Sequence, residues 1–236
     1  MSAILDTELS YSSTVTRALV HRAAVCEVFL TDSVRLAEDE YLIAAQLPRV
    51  HSYYSDQIAT PAVYDPLLLV EVFRQASIYT AHTFLDAAVD EKFIFNSGEM
   101  LVTDADALQI GARPGHAQIH ARQAGLKHRD GVVTGSTLDM VLTVDGREAA
   151  TMRTTCQWMP GGAWNRMRER GRAALPPARP HQSGRRVAPG AVGRISPHNV
   201  VLSETEVREH EVLTQVVVDQ ANPALFDHPL DHIPGA

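Results

Sequence analysis

The spacing of apolar and polar positions changes character several times along this chain of 236 residues. From Asp65 to Asp86 the residues DPLLLVEVFRQASIYTAHTFLD are apolar on most sides. Asp65 can accept from free backbone N–H groups and Pro66 suits a first turn, so this stretch predicts a helix of about six turns, buried nearly all round. Before it, Glu40–Leu47 reads as a strand. After it come strand-like runs at Phe93–Thr103, His116–Gly125, Val132–Val144 and Glu148–Trp158. Arg113-Pro114-Gly115, Asp130-Gly131 and Asp145-Gly146 mark turns between them. A long central helix with an antiparallel sheet around it predicts an α+β fold.

The stretch 160–190 breaks these patterns. It is dense in Pro and Gly and holds seven arginines against one acid, Glu169. A short helix fits over Trp164–Ala174, but neither helix nor strand should persist through the whole segment. It reads as a linker between residues 1–159 and 191–236. The two sides resemble each other. Val28-Phe29-Leu30-Thr31 and Leu42–Gln46 come before it, Val200-Val201-Leu202-Ser203 and Leu213–Val218 after it. An offset of 172 places Leu30 on Leu202 and Gln46 on Val218. Each half then enters a loop rich in His, Pro and Asp. A repeat of this length suggests a duplicated fold whose second copy is incomplete. Residues 191–236 should then be poorly ordered in an isolated monomer, or ordered only by packing on the first copy or on another chain.

Composition narrows the class. Apolar residues make up 45% of the chain and charged residues 21%, which is ordinary for a globular protein. No apolar run is long enough for a membrane-spanning helix, and the first 20 residues lack the pattern of a secretory signal, so a cytoplasmic location is expected. The net charge of −7 argues against sequence-independent nucleic-acid binding. Cys26 and Cys156 have no metal or redox spacing and are expected to be buried thiols. The arginines of the linker would suit an acidic protein partner, or simply a solvated connector.

Candidate chemistry begins on the predicted helix. Glu71, Arg74, Gln75 and His82 share one face by the 3.6-residue period. On an exposed helix such a stripe meets solvent. Here the flanking residues are too apolar for that, so it must pair internally or line a site. Burial would raise the Glu71 pKa toward neutrality and Arg74 would oppose the rise, which makes Glu71 a candidate base. Gln75 could donate to a substrate carbonyl or orient Glu71. A second cluster lies at Asp227-His228-Pro229-Leu230-Asp231-His232. His228 suits proton exchange near neutral pH, although loop histidines are often structural. A metal site over His228 and His232 lacks a third ligand at a diagnostic spacing. Neither a metal nor a cofactor is expected.

Several words of this sequence resemble the A-factor biosynthesis hotdog family, the γ-butyrolactone synthases of actinomycete signalling. They include Val20-His21-Arg22, Glu27-Val28-Phe29-Leu30-Thr31-Asp32, Gln46-Leu47-Pro48-Arg49-Val50-His51 and Asp65–Ala76 in the first half. In the second half they include Val192-Gly193-Arg194, Asn199–Ser203 and Phe226–Gly235. The resemblance implies a tandem hotdog. It implies an acyltransferase that moves a 3-oxoacyl group from an acyl carrier protein to dihydroxyacetone phosphate. The loop at His228 is also similar to the histidine loop of hotdog dehydratases. That likeness implies a site between copies, with His228 from one and Glu71 from the other. The implied catalytic residues are Glu71, Gln75 and His228. Arg74, Arg49 and His51 are the implied substrate-binding residues, Arg74 for phosphate. The family's second copy continues past its Pro-Gly into a helix like the first, where this sequence stops. Two other functions stay open: another hotdog enzyme, a dehydratase or thioesterase, or a non-catalytic acyl-binding protein. A homo-oligomer is compatible with all of them.

Overall fold

A computed structural model describes residues 8–174, 185–203 and 205–228. Strands β1 (Leu30–Ala37) and β2 (Glu40–Leu47) come first, then helix α1 (Pro66–Phe84). Strands β3 (Lys92–Val102), β4 (Gly115–Arg129), β5 (Val132–Val144) and β6 (Arg147–Met159) follow. They form one antiparallel sheet in the order β1-β2-β4-β5-β6-β3 around the helix, the α+β hotdog arrangement expected from the pattern. Both Asp-Gly pairs turn where predicted. Asp130 and Gly131 have φ of 53° and 81°, Asp145 and Gly146 of 48° and 82°. Positive φ at both positions matches the right-handed twist of the flanking strands.

Asp65 caps α1 by accepting from the Leu67 amide at 2.8 Å, with Pro66 at the first helical position. The helix then drives Leu68, Leu69, Val72, Phe73 and Ala76 into the core, where none is more than 1% exposed. Removing the Phe73 ring would cost about 3–5 kcal/mol, by the usual penalty for emptying a core aromatic site. β2 is buried on both faces because Leu9 and Tyr11 cover Leu42 and Ala44 from outside. That explains why it reads as a continuous apolar run and not as an alternation.

Differences from the expectations cluster after residue 159. Helix α2 spans Gly161–Ala174, so much of the expected linker is helical. The expected strands around Val200–Ser203 and Leu213–Val218 are fragmentary. A Leu202–Val216 bridge joins them, and a two-residue pair, β7 (Glu206–Val207) with β8 (Val212–Leu213), closes their turn. Val216 and Val218 are exposed, whereas Val200 and Val217 are buried. Cys26 lies exposed in a 3-10 turn and not in a strand, while Cys156 is buried.

The matching offset extends into the hydrogen bonds. The 3-10 turn Arg17–Val20 corresponds to Pro189–Val192, and Val25–Glu27 to Pro197–Asn199, each 172 residues later. Arg22 N donates to Arg17 O as Arg194 N donates to Pro189 O. Val15 N donates to Leu30 O as Val187 N does to Leu202 O. In the following strand the offset drops to 171. Gln46 N donates to Phe29 O, and Val217, not Val218, donates to Val201 O. The second hairpin is one residue shorter. The loops beyond keep the offset of 171, so Asp56 corresponds to Asp227.

These two loops exchange partners. The Asp227 carboxylate accepts from the amides of Ala23 and Ala24, at 2.7 and 3.4 Å. Asp56 accepts from the amides of Ile195 and Ser196, at 3.2 and 3.0 Å. Each loop therefore clamps the turn that precedes the other half's first strand.

Candidate active site

Glu71 is the centre of the polar stripe on α1, and it is fully buried. Arg74 reaches it from the next turn, with Nε 2.7 Å from Oε2 and an Nη 2.8 Å from Oε1. Arg22, 49 residues away in sequence, reaches Oε1 at 2.6 Å from the turn before β1. Gln75 donates to the same oxygen at 2.7 Å. Burial alone would raise the Glu71 pKa, but the Arg74 and then the Arg22 guanidinium outweigh it and hold the carboxyl at about 2. The expected rise toward neutrality is therefore reversed. Arg74 does most of this, and Arg22, whose approach the helix pattern could not reveal, adds to it. Glu71 is an ionised anchor for two guanidiniums.

Gln75 has no spare donor. Its second N–H goes to Glu27 O at 2.7 Å, and its oxygen accepts from the Phe29 amide at 3.0 Å. Of its two suggested uses, the geometry has Gln75 orienting Glu71. His51 joins the periphery. Its Nδ1 accepts from the amides of Tyr53 and Tyr54, both at 3.2 Å. That places the proton on Nε2, which faces the buried Glu27 carboxylate at 3.2 Å. Arg49 does not join the cluster. It is exposed, and its charge is felt at Tyr64, whose hydroxyl meets the Gly115 amide.

The loop from the far end of the chain completes the group. The Asp227 side chain is 3% exposed, and its Oδ1 lies 4.0 Å from Arg22. The same oxygen meets His228 Nδ1 at 2.5 Å. Burial would raise the Asp227 pKa, but the Ala23 amide, His228 and Arg22 lower it, so it stays a carboxylate. The His228 side chain is 40% exposed. An imidazole held at Nδ1 by a buried carboxylate presents Nε2 outward, the arrangement of an oriented general base. His232 and Asp231 lie outside the described residues.

A second pair of histidines borders this group. His82 Nδ1 bonds Ala87 O at 2.9 Å, and its Nε2 meets His21 Nε2 at 2.9 Å. The carbonyl fixes the His82 proton on Nδ1, so His21 is the donor between the rings. Burial first, then His82, Arg74, Lys92 and His228, lower the His21 pKa to about 4. His21 is thus neutral, with the cations Arg74 and Lys92 nearby. The sequence stripe contained His82 but gave no sign of His21, Arg22 or Asp227 as its neighbours. Their only signal was membership in the family-like words.

The model of the A-factor biosynthesis hotdog domain, AfsA, matches residues 6–160 and 176–236. A 2-oxo-3-(phosphooxy)propyl 3-oxoalkanoate synthase from Streptomyces virginiae is 34% identical over 224 residues, 95% of this chain and 73% of that one. A synthase of the same name from Streptomyces coelicolor is 28% identical over 222 residues, 94% of this chain and 68% of that one. Among solved structures, a hot-dog-like protein from Thermanaerovibrio acidaminovorans aligns with a TM-score of 0.40 and 10% identity, over 56% of this chain and 89% of that one. The extent of the family match and of the Streptomyces virginiae alignment shows that this chain belongs to the A-factor biosynthesis hotdog family.

Proposed function

We propose that this protein transfers a 3-oxoacyl group from a carrier-protein thioester to the hydroxyl of dihydroxyacetone phosphate. The observation that carries this reading is the Asp227–His228 pair set beside Arg22, Glu71 and Arg74. His228 Nε2 takes the proton of the attacking hydroxyl. The new C–O bond forms at the thioester carbonyl, the C–S bond breaks, and the imidazolium returns its proton to the leaving thiolate. Asp227 holds the ring and balances its transient charge. Arg74, the more exposed of the two guanidiniums, and Lys92 supply positive charge for the phosphate. Glu71 acts as a positioning residue that keeps both guanidiniums in place. Gln75 positions Glu71, and His51 braces Glu27 behind it. Residues 1–159 and 191–236 are copies of one design, with the site formed where the second copy's loop meets the first copy's helix.

Incubation with a 3-oxoacyl carrier protein and dihydroxyacetone phosphate tests the reading. Mass spectrometry should show a phosphorylated ester carrying the acyl chain. Release of free 3-oxo acid alone would mean a thioesterase, and loss of water from a 3-hydroxyacyl carrier would mean a dehydratase.

A further inference from the structure

Helix α2 and the end of the sheet leave a groove that this chemistry does not use. Its volume is about 340 Å³, and Arg129, Met159, Ala163, Arg166, Met167 and Arg170 line it. Arg129 closes β4 and Met159 closes β6, while the other four stand on α2. Three guanidiniums thus surround an apolar floor of two methionines and an alanine. None of the three is ion-paired among the described residues. α2 buries none of its residues and has Glu169 as its only acid. Arg166 and Arg170 are like charges one helical turn apart, which weakens a helix standing alone. An anionic partner removes that repulsion.

The groove and the histidines border the neighbouring strands β6 and β3. Met159 pairs across the sheet with Lys92, and Phe93 pairs with Trp158. Phe93 in turn touches His21 and His82, each at 5.1 Å between ring centroids. Successive residues of a strand face opposite sides of the sheet, so Met159 points away from the face on which Phe93 meets the histidines.

We propose that this groove docks an acidic helix of the acyl carrier protein, an inference that rests on the acyl transfer proposed above. Carboxylates on such a helix match guanidiniums that can fork onto them, and methionines adapt to its apolar residues. The chain carries a net charge of −7, so the rest of its surface repels an acidic partner. That makes α2 and Arg129 the place where such a partner is attracted.

The test is binding of an acyl carrier protein of the fatty-acid type, measured by fluorescence anisotropy at low salt. The variant Arg129→Gln/Arg166→Gln/Arg170→Gln should bind at least about tenfold more weakly, the sum expected of a few exposed ion pairs. Its turnover of a carrier-free 3-oxoacyl pantetheine thioester should match the native enzyme. Unchanged carrier affinity would overturn the proposal, as would an equal loss on the carrier-free substrate. Binding of duplex DNA to this surface without carrier binding would overturn it too. A native enzyme that binds carrier through these arginines yet transfers no acyl group would retire the acyltransferase reading and leave the docking surface standing.

Discussion

Arg22 and Arg194 leave equivalent turns, yet Arg22 ends on a glutamate inside α1 and Arg194 on the aspartate that caps it. Arg22 meets Glu71 at 2.6 Å where water does not reach. Arg194 meets Asp65 at 2.8 Å, accepts the face of Tyr53 at 4.6 Å and donates to Tyr53 O at 2.8 Å. The neighbouring loops differ in the same sense. Asp227 is followed by His228, whereas the corresponding Asp56 is followed by Gln57, whose side-chain amide donates to Val63 O. His21 has φ of 53°, and its counterpart Gly193 has 70°. A left-handed turn suits glycine and costs other residues about 1–2 kcal/mol. The Arg194 region uses this scaffold to hold the two parts of the chain together. The Arg22 region accepts a buried charge and a strained backbone, the kind of local cost that concentrates at sites of chemistry.

The largest effect should come from breaking the buried pair. Glu71→Ala leaves two guanidiniums without their carboxylate and should cost about 3–5 kcal/mol in denaturant unfolding. Asp65→Ala removes a cap and a partner from Arg194, which keeps its backbone carbonyls, and should cost about 1–2 kcal/mol. Equal costs would erase the distinction between the two regions. Next comes His228→Gln, which gives the first region the side chain found in the second. Acyl transfer should fall by about 10²-fold or more with the melting temperature unchanged. Near-normal turnover would remove His228 from the mechanism.

A smaller effect separates the regions by pH. The folded-state pKa of His21 lies near 4, below the ordinary 6.5, so the unfolded chain binds its proton first as pH falls. Stability contributed by His21 is present above pH 6.5 and is lost between there and pH 4, by about 1.4 kcal/mol at pH 5.5. His21→Gly should remove that part of the pH dependence and relieve the left-handed strain. Parallel stability curves for native and variant proteins between pH 7 and 5 would contradict it. The smallest expected change is Asp56→Asn, which weakens one clamp. It should lower stability by about 1 kcal/mol and leave turnover as it was. A large loss of turnover would mean that the two loops are not divided in their roles.

Local pattern made most of the first 159 residues legible. Asp65-Pro66 begins the helix, the Asp-Gly pairs turn the sheet, and the apolar runs mark the strands, because each depends on neighbours a few residues away. The stripe of Glu71, Arg74 and Gln75 was legible for the same reason. Its electrostatics were not. The Glu71 carboxyl is held low by Arg74 and then by Arg22, which lies 49 positions earlier, where no periodicity links them. Asp227 was visible only as one acid among several in a crowded loop. Its contact with Ala23 spans 204 positions. The missing residue of the second hairpin escaped notice because valines at 216, 217 and 218 make the register ambiguous in sequence.

The exchange of clamps also sets an order of assembly. Translation proceeds from the amino terminus, and all six strands of the sheet and their helix have been made by Met159. The turn bearing His21 and Arg22 is tied by Asp227, so it waits for almost 70 further residues to leave the ribosome, as does the part of the core that Ala224 fills. His228 arrives in the same step. A nascent chain holds its sheet and helix well before it holds the Asp227–His228 pair, and on the proposed mechanism the competence to transfer acyl groups comes only with that pair.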